Sequence, residues 1–142
     1  MSKVIIYTTD AGNVAVCTPT GELPIEAVLA KDCPKGAIIV DDSELPQGDD
    51  AKFFDAWELN ADGKVSVNIQ KAQELTRRRL RAEREPLLAE QDVLFQRALE
   101  DGSDTTAIVA EKKRLRDITL LVDVLDSTSA LTQLDCSYIV GT

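Results

Sequence analysis

The chain has 142 residues and a formal net charge of -9, and 44% of its residues are hydrophobic and 29% charged. This length and composition fit one soluble globular core, or a small lobe that shares its core with a helical arm, and they exclude a disordered chain. The apolar runs are far shorter than the roughly 20 residues that a membrane-spanning helix needs, and the acidic charge disfavours general nucleic-acid binding because most of the surface would repel phosphates.

The N-terminal part of the chain predicts a β-rich lobe. Residues 3–9 and 14–18 alternate apolar and polar side chains on either side of a group of turn residues, which predicts a β-hairpin. Pro24 suits the first position of a short helix that ends near Lys31. Residues 37–40 form a continuous apolar run, which is typical of a buried strand.

Three aromatic residues, Phe53, Phe54 and Trp57, follow a stretch at residues 45–52 whose proline and glycine predict a loop. Large aromatic side chains bury much apolar area, so we favour a place in the core of the lobe over an exposed anchor for a partner. Residues 56–67 then predict a second hairpin around a central turn.

Residues 68–125 are the one long segment with sustained helical periodicity, and they predict a helical hairpin. Asn68 is placed to cap the first helix, and we expect a kink at Pro86 because a proline inside a helix removes a backbone hydrogen bond. The turn at residues 101–104 separates the two helices, and Ser103 or Asp104 is placed to cap the second. The residues expected to form the two facing apolar seams are Leu80, Leu87, Leu94 and Ala98 in the first helix and Ile108, Leu115, Ile118, Val122 and Leu125 in the second.

Beyond the hairpin, residues 130–134 predict one more helical turn. Residues 137–140 have strand character, and an apolar terminal strand needs a sheet edge within the chain or on a neighbour. The fold class that follows is α+β: a small β-rich N-terminal lobe of hairpins and one short helix, then a long kinked helical hairpin, then a short C-terminal strand. We expect the segments to be residues 1–67, 68–126 and 127–142.

The side chains that carry most enzyme chemistry are scarce. The chain has no histidine, which removes the commonest general base and metal ligand, and it has no glycine-rich phosphate loop. The acidic pairs at residues 41–42 and 49–50 lack the spacing of an EF-hand, so we expect solvated loop acids rather than a Ca²⁺ site. We therefore predict that the chain is not an enzyme, with no catalytic residue, no cofactor and no metal site.

The cysteines, Cys17, Cys33 and Cys136, are odd in number and lack a Cys-x-x-Cys spacing. Such a set is typical of reduced thiols in a reducing compartment, and the N-terminus does not have the pattern of a secretory signal. We expect synthesis in a cytoplasm, and buried, inert thiols rather than a disulfide or a metal role.

A run of basic residues between Arg77 and Arg84 is the sharpest local charge feature. Glutamates spaced four residues from these arginines favour a solvated helix face over a nucleic-acid contact. A protein partner stays open, since the acidic N-terminal lobe of a second copy would complement the charge. The predicted partner-binding residues are Arg77, Arg78, Arg81 and Arg84, together with Leu121, Tyr138 and Ile139.

The helical arm also carries a series of short motifs, namely Lys71-Ala72-x-Glu74-Leu75, Pro86-Leu87-Leu88, Arg97-Ala98-Leu99-Glu100 and Leu115-Arg116-Asp117. Together with Asp41-Asp42-Ser43-Glu44-Leu45-Pro46 and Ala56-Trp57-Glu58 upstream, this series resembles a pattern in small accessory proteins of tailed bacteriophages, commonly from tail or tail-fibre gene regions. The resemblance implies a β-rich N-terminal part before the helical arm, and a place in the virion after synthesis in the host bacterial cytoplasm.

The function that the resemblance implies is a non-enzymatic structural component of the virion, which packs on tail, fibre or capsid proteins through the arm and the terminal strand. The chain departs from the family pattern after Asp117, where residues 118–125 are strongly apolar, and such a segment suits a subunit that packs permanently into a larger structure. The alternative is a tail-fibre assembly chaperone that is not retained in the mature particle. In both cases the expected partners are other phage structural proteins and further copies of the chain, without a membrane, and nucleic-acid binding is disfavoured.

Overall fold

The computed structural model describes residues 2–138. They form β-strands, α-helices and 3₁₀ helices, so the predicted α+β class is confirmed. The chain divides into two compact units, one ending at Ala72 and the other beginning at Gln73. We call them the N-terminal unit and the helical unit. Among the described residues, no helix combines the length and the apolar character that crossing a bilayer requires.

The N-terminal unit is built on a three-stranded antiparallel sheet. Its strands are β1 (Lys3–Thr8), β2 (Val14–Cys17) and β3 (Ile38–Asp41), and β1 lies in the centre. Both predicted strand regions are confirmed, because alternating β-branched residues favour a strand with one face in a core. The short helix is confirmed as well, as α1 (Ile25–Asp32).

The two faces of this sheet are covered by different elements. Val4 and Ile6 point to a core shared with Trp57 and with the second hairpin, which consists of β4 (Trp57–Leu59) and β5 (Val65–Val67). Because side chains alternate along a strand, Ile5 points to the opposite face. There it is completely buried, and α1 contacts β1 and β3. The sheet is therefore packed between a hairpin and a helix.

The aromatic cluster divides between core and surface. Phe53 and Trp57 are buried as predicted, and the Trp57 indole donates a hydrogen bond to the Asp50 carbonyl at 2.9 Å. Phe54 is exposed and lies against the Trp57 ring, with the ring centroids 4.8 Å apart. The predicted loop is wrong in its second half, where Gly48–Ala56 contains two short 3₁₀ turns that meet at Phe53, whose backbone is not helical.

The long helix α2 (Ile69–Asp101) begins at the predicted cap. The Asn68 carboxamide oxygen accepts from the Lys71 N–H at 3.1 Å, and its amide nitrogen donates to the Glu58 carboxylate at 2.7 Å. This second bond lowers the pKa of Glu58 and ties the start of the helix to β4. Asn68 thus satisfies a free helical N–H and fixes the entry of the chain at once.

Helix α2 continues through Pro86 without a break. A proline at this position leaves the carbonyl of Ala82, four residues earlier, without its helical partner. Both residues are exposed, so water reaches that carbonyl. The position of Pro86 on the solvent side explains why the helix does not end there.

The returning chain differs from the predicted second helix. Helix α3 (Thr106–Asp117) stops early, and a 3₁₀ segment (Ile118–Val124) replaces the rest. The predicted inward residues Leu115, Ile118 and Val122 are nevertheless buried. The change of helix type therefore preserves the seam while ending the α-helical hydrogen bonding. The predicted last helical turn is confirmed as α4 (Thr128–Gln133).

The predicted seam of α2 is only half right. Leu80 and Ala98 are buried, but Leu87 and Leu94 are 37% and 40% exposed, whereas Leu88 and Phe95, each one residue further, are half-buried. A seven-residue spacing drifts by about 20° per repeat around a straight α-helix. The drift is about 20° at Leu87 and about 40° at Leu94, which moves both leucines toward the edge of the packed face.

The predicted C-terminal strand falls at the limit of the description. Ser137 belongs to a turn and Tyr138 follows it, whereas Ile139 and Val140 lie outside the described residues.

Candidate functional site

The face of α2 that packs on the returning chain carries arginines as well as leucines. Arg77 and Arg84 flank the buried Leu80 at three and four residues, which is the spacing of one helical face. Two of the predicted partner-binding arginines are therefore turned toward their own unit. The spacing of Arg77 and Arg84 around Leu80 is visible in the sequence, and it indicates that both arginines lie on the packed face.

Arg84 caps the end of α3. Its guanidinium donates to the Arg116 carbonyl at 2.8 Å and to the Leu115 carbonyl at 3.4 Å. The last carbonyls of a helix have no partner within the helix and carry its partial negative charge. The Arg84 guanidinium at this point supplies hydrogen-bond donors to the carbonyls and a positive charge that compensates the partial negative charge.

Two further side chains of α2 repeat this contact. Arg79 donates to the Leu134 and Leu131 carbonyls at 2.6 and 3.0 Å, at the end of α4. Gln73 donates to the Leu125 carbonyl at 2.8 Å, at the end of the 3₁₀ segment. Side chains of one helix thus cap the ends of α3, α4 and the 3₁₀ segment, and none of these caps was predicted from the sequence.

The other predicted arginines differ in their surroundings. Arg77 is paired with Asp123 and with Glu74, and the hydrogen bond that its guanidinium donates to Asp123 raises the pKa of that guanidinium. Arg81 is exposed and pairs with Glu74 at 3.4 Å. Arg78 is exposed, and within residues 2–138 its side chain has no hydrogen bond or ion pair. The outward-facing charge is thus small and partly neutralised, which does not make an anion-binding surface.

The last described residues are held from α3. Arg114 donates to the Tyr138 carbonyl at 2.7 Å and to the Cys136 carbonyl at 2.9 Å, while its other nitrogens bind Glu111. Cys136 is buried, and desolvation raises the pKa of its thiol. This cysteine has the predicted buried position, whereas Cys17 and Cys33 are half-buried.

An apolar groove runs along the surface of the helical unit where these segments meet. It consists of two adjoining hollows of about 330 and 300 Å³, and both are lined by Leu121 and Tyr138. We call it the Leu121 groove. Its other apolar lining includes Ala110, Ile118, Val124 and Leu134, with Lys113 and Asp117 at one end. Two of the predicted partner-binding residues therefore lie together, and the third apolar one, Ile139, is outside the described residues.

The surface beside the groove is also apolar. Val124, which lines one hollow, is 79% exposed, and its neighbour Leu120 is 62% exposed. Both lie on the 3₁₀ segment, and both side chains face solvent. Large aliphatic side chains with this exposure are a surface that favours burial against another molecule.

The acidic pairs have local structural partners. The Asp41 carboxylate accepts from the Ser43 N–H at 3.2 Å and caps a short 3₁₀ turn, which lowers the pKa of Asp41. Asp49 pairs with Lys52 at 3.2 Å. Over the described part of the chain, no three potential metal-ligating side chains come together.

Comparison with known proteins leaves the resemblance to phage proteins as a prediction. No protein-family model matches the chain, and neither the curated proteins nor the solved structures include one that is significantly similar to it.

Proposed function

We propose that the chain is a non-enzymatic structural component of a tailed-phage virion, and that its helical unit packs on tail, fibre or capsid proteins. The observation that carries the proposal is the Leu121 groove with the exposed Leu120 and Val124 beside it. An apolar centre with charged residues at its edge is the usual composition of a protein–protein interface. The phage assignment rests on the motifs of the arm, and the lack of histidine supports a function without bond-making chemistry.

The walls of the groove are held before any partner arrives. Arg114 fixes the carbonyls of Cys136 and Tyr138 on one side, and Gln73 fixes the Leu125 carbonyl on the other. A surface that is already ordered loses little conformational entropy when it binds. Such a surface suits a permanent contact in an assembly.

Mass spectrometry of purified particles tests the proposal directly. The particles are those of the phage whose genome encodes the chain, and we expect the protein in them at a constant ratio to the tail proteins. Its absence from mature particles would overturn the proposal. Presence with the fibre protein in infected cells, but not in particles, would identify an assembly chaperone instead.

A pair of matched variants tests the groove itself. Val124→Glu places a charge on the proposed surface, and Leu99→Glu places one on an exposed leucine of α2 away from the groove lining. Both side chains are exposed, so we expect both variants to fold, as measured by circular dichroism. Only Val124→Glu should lower incorporation into particles, and equal incorporation of the two would show that the groove is not the packing surface.

A further inference from the structure

Two half-buried cysteines of the N-terminal unit are brought to the same face of its sheet. Cys17 is the last residue of β2 and lies opposite Ile5 of β1 in the strand register. Paired residues of adjacent strands point to the same face. Cys17 therefore shares the face of Ile5, which is the face that α1 covers.

Cys33 reaches this face from the other direction. It is the residue directly after α1, with extended backbone angles of φ -114° and ψ 149°. Helix α1 packs on β1, the strand whose Ile5 pairs with Cys17, so the end of α1 places Cys33 on the same face of the sheet as Cys17. Desolvation raises the pKa of the Cys33 thiol, and the Cys17 thiol adds to the rise. Both thiols are free and partly open to solvent.

The helix between them is weakly anchored. None of the residues of α1 is fully buried, and no side chain caps its N-terminus. Elements with few buried contacts open locally at a low free-energy cost. A covalent bond between Cys17 and Cys33 would close a loop that contains all of α1, which restricts the open states of that loop.

We propose that Cys17 and Cys33 are a dithiol that oxidises reversibly to a disulfide and fastens α1 to the sheet. The co-reactant is a small-molecule disulfide such as oxidised glutathione. One cysteine thiolate attacks a sulfur of that disulfide, forms a mixed disulfide and releases one glutathione thiolate; the second cysteine thiolate then attacks the protein sulfur of the mixed disulfide and releases the other. The two protein thiols lose two protons and two electrons, and the oxidant becomes two thiols. This inference is independent of the function proposed above.

Tryptic peptides separate the cysteines of the chain cleanly. Cleavage after Lys3, Lys31, Lys35 and Arg116 places Cys17 in residues 4–31, Cys33 in residues 32–35 and Cys136 in residues 117–142. The purified chain is equilibrated with increasing ratios of oxidised to reduced glutathione, quenched in acid, alkylated, digested and examined by mass spectrometry. We expect a linked pair of the peptides 4–31 and 32–35 in the wild type and in Cys136→Ser, and no such pair in Cys17→Ser or Cys33→Ser. Mixed glutathione disulfides on Cys17 and Cys33 without the link, at every ratio, would overturn the proposal.

Limited trypsin cleavage tests whether the disulfide holds α1 to the sheet. Lys31 lies within α1 and is exposed, so brief trypsin treatment of the folded protein reports how often the helix opens. Cleavage after Lys31 should be several-fold slower in the oxidised than in the reduced wild type, and equal in the two conditions for Cys17→Ala. Equal rates in the wild type, with the link present, would overturn the fastening.

Discussion

A single arginine side chain shows how a charge on a helix can stabilise a fold from inside. Arg84 donates to the carbonyls of Leu115 and Arg116 at the end of α3, where the last carbonyls lack partners within the helix. Arg84→Ala should lower the free energy of unfolding by about 1.5–3 kcal/mol, the range for hydrogen bonds to charged groups. Urea unfolding followed by circular dichroism at 222 nm measures this loss.

The matched control lies on the same helix. The Arg78 side chain is exposed and makes no hydrogen bond or ion pair with any described residue, so Arg78→Ala should change the free energy of unfolding by no more than about 0.5 kcal/mol. Arg84→Lys should fall between the two, because an ammonium is a point charge and does not span two carbonyls as a guanidinium does. Equal losses for Arg84→Ala and Arg78→Ala would show that the cap contributes nothing.

The ion pair of Glu111 with Arg114 makes stability depend on pH. The hydrogen bond from Arg114 lowers the pKa of Glu111 in the folded chain from its ordinary value of 4.5. A carboxyl group with a lowered pKa stabilises the fold above its unfolded value, and this contribution is lost as the pH falls through the folded value. Glu111→Gln should therefore be less stable than the wild type at pH 7, and the difference should shrink below pH 4.5.

Urea midpoints at several pH values measure that difference. Glu90→Gln is the matched control, since Glu90 is exposed and lies on the same unit. Its midpoint should track that of the wild type at each pH. A constant gap between Glu111→Gln and the wild type from neutral to acid pH would contradict the assignment of the effect to the carboxylate charge.

Among the secondary-structure elements, α2 allows a test of which leucines belong to the seam. Leu80 is completely buried and Leu94 is 40% exposed. Leu80→Ala should lower the free energy of unfolding by about 2–5 kcal/mol, because it removes apolar contacts and leaves a cavity. Leu94→Ala removes the same atoms from the edge of the packed face and should cost less than about 1 kcal/mol. Equal costs would restore the seven-residue seam and contradict the burial in the structure.

Features that depend on residues close together in the sequence could be predicted, whereas features that depend on distant segments could not. The strands of the N-terminal unit, the cap at Asn68 and the helical turn at α4 depend on neighbouring residues, and all were predicted. The position of Leu87 depends on which side of α2 the returning chain covers, and local periodicity does not contain that information. The 3₁₀ segment after Asp117 has an apolar spacing that fits an α-helix equally well.

The candidate surface was predictable in part for the same reason. Leu121 and Tyr138 are large apolar side chains that do not belong to the two predicted seams of the hairpin. The structure places both of them in one groove. The caps made by Gln73, Arg79 and Arg84 join residues far apart in the sequence. A basic run near glutamates has the same composition whether its side chains face water or bind backbone carbonyls. Composition therefore cannot distinguish the two, and the spacing of the glutamates favoured the solvated interpretation.

Across the chain as a whole, two separate cores hold two separate units. Trp57, the single tryptophan, lies in the core of the N-terminal unit with Val4 and Val14. The core of the helical unit includes Leu131, which is completely buried. Tryptophan fluorescence therefore reports the first core, whereas circular dichroism at 222 nm reports mainly the helices of the second. Two probes that follow different cores need not show one transition.

This division predicts how core variants separate the two signals. Leu131→Ala should move the urea midpoint seen by circular dichroism to lower urea, with a loss of about 2–5 kcal/mol, and should leave the fluorescence midpoint of Trp57 nearly unchanged. Val14→Ala should do the reverse, since its side chain packs in the cluster that contains Trp57. The reason is that each substitution removes contacts within one core, and the free energy of a unit depends first on its own contacts. If either variant moved both midpoints by the same amount, the chain would unfold as one cooperative body and α2 would transmit the loss from one core to the other.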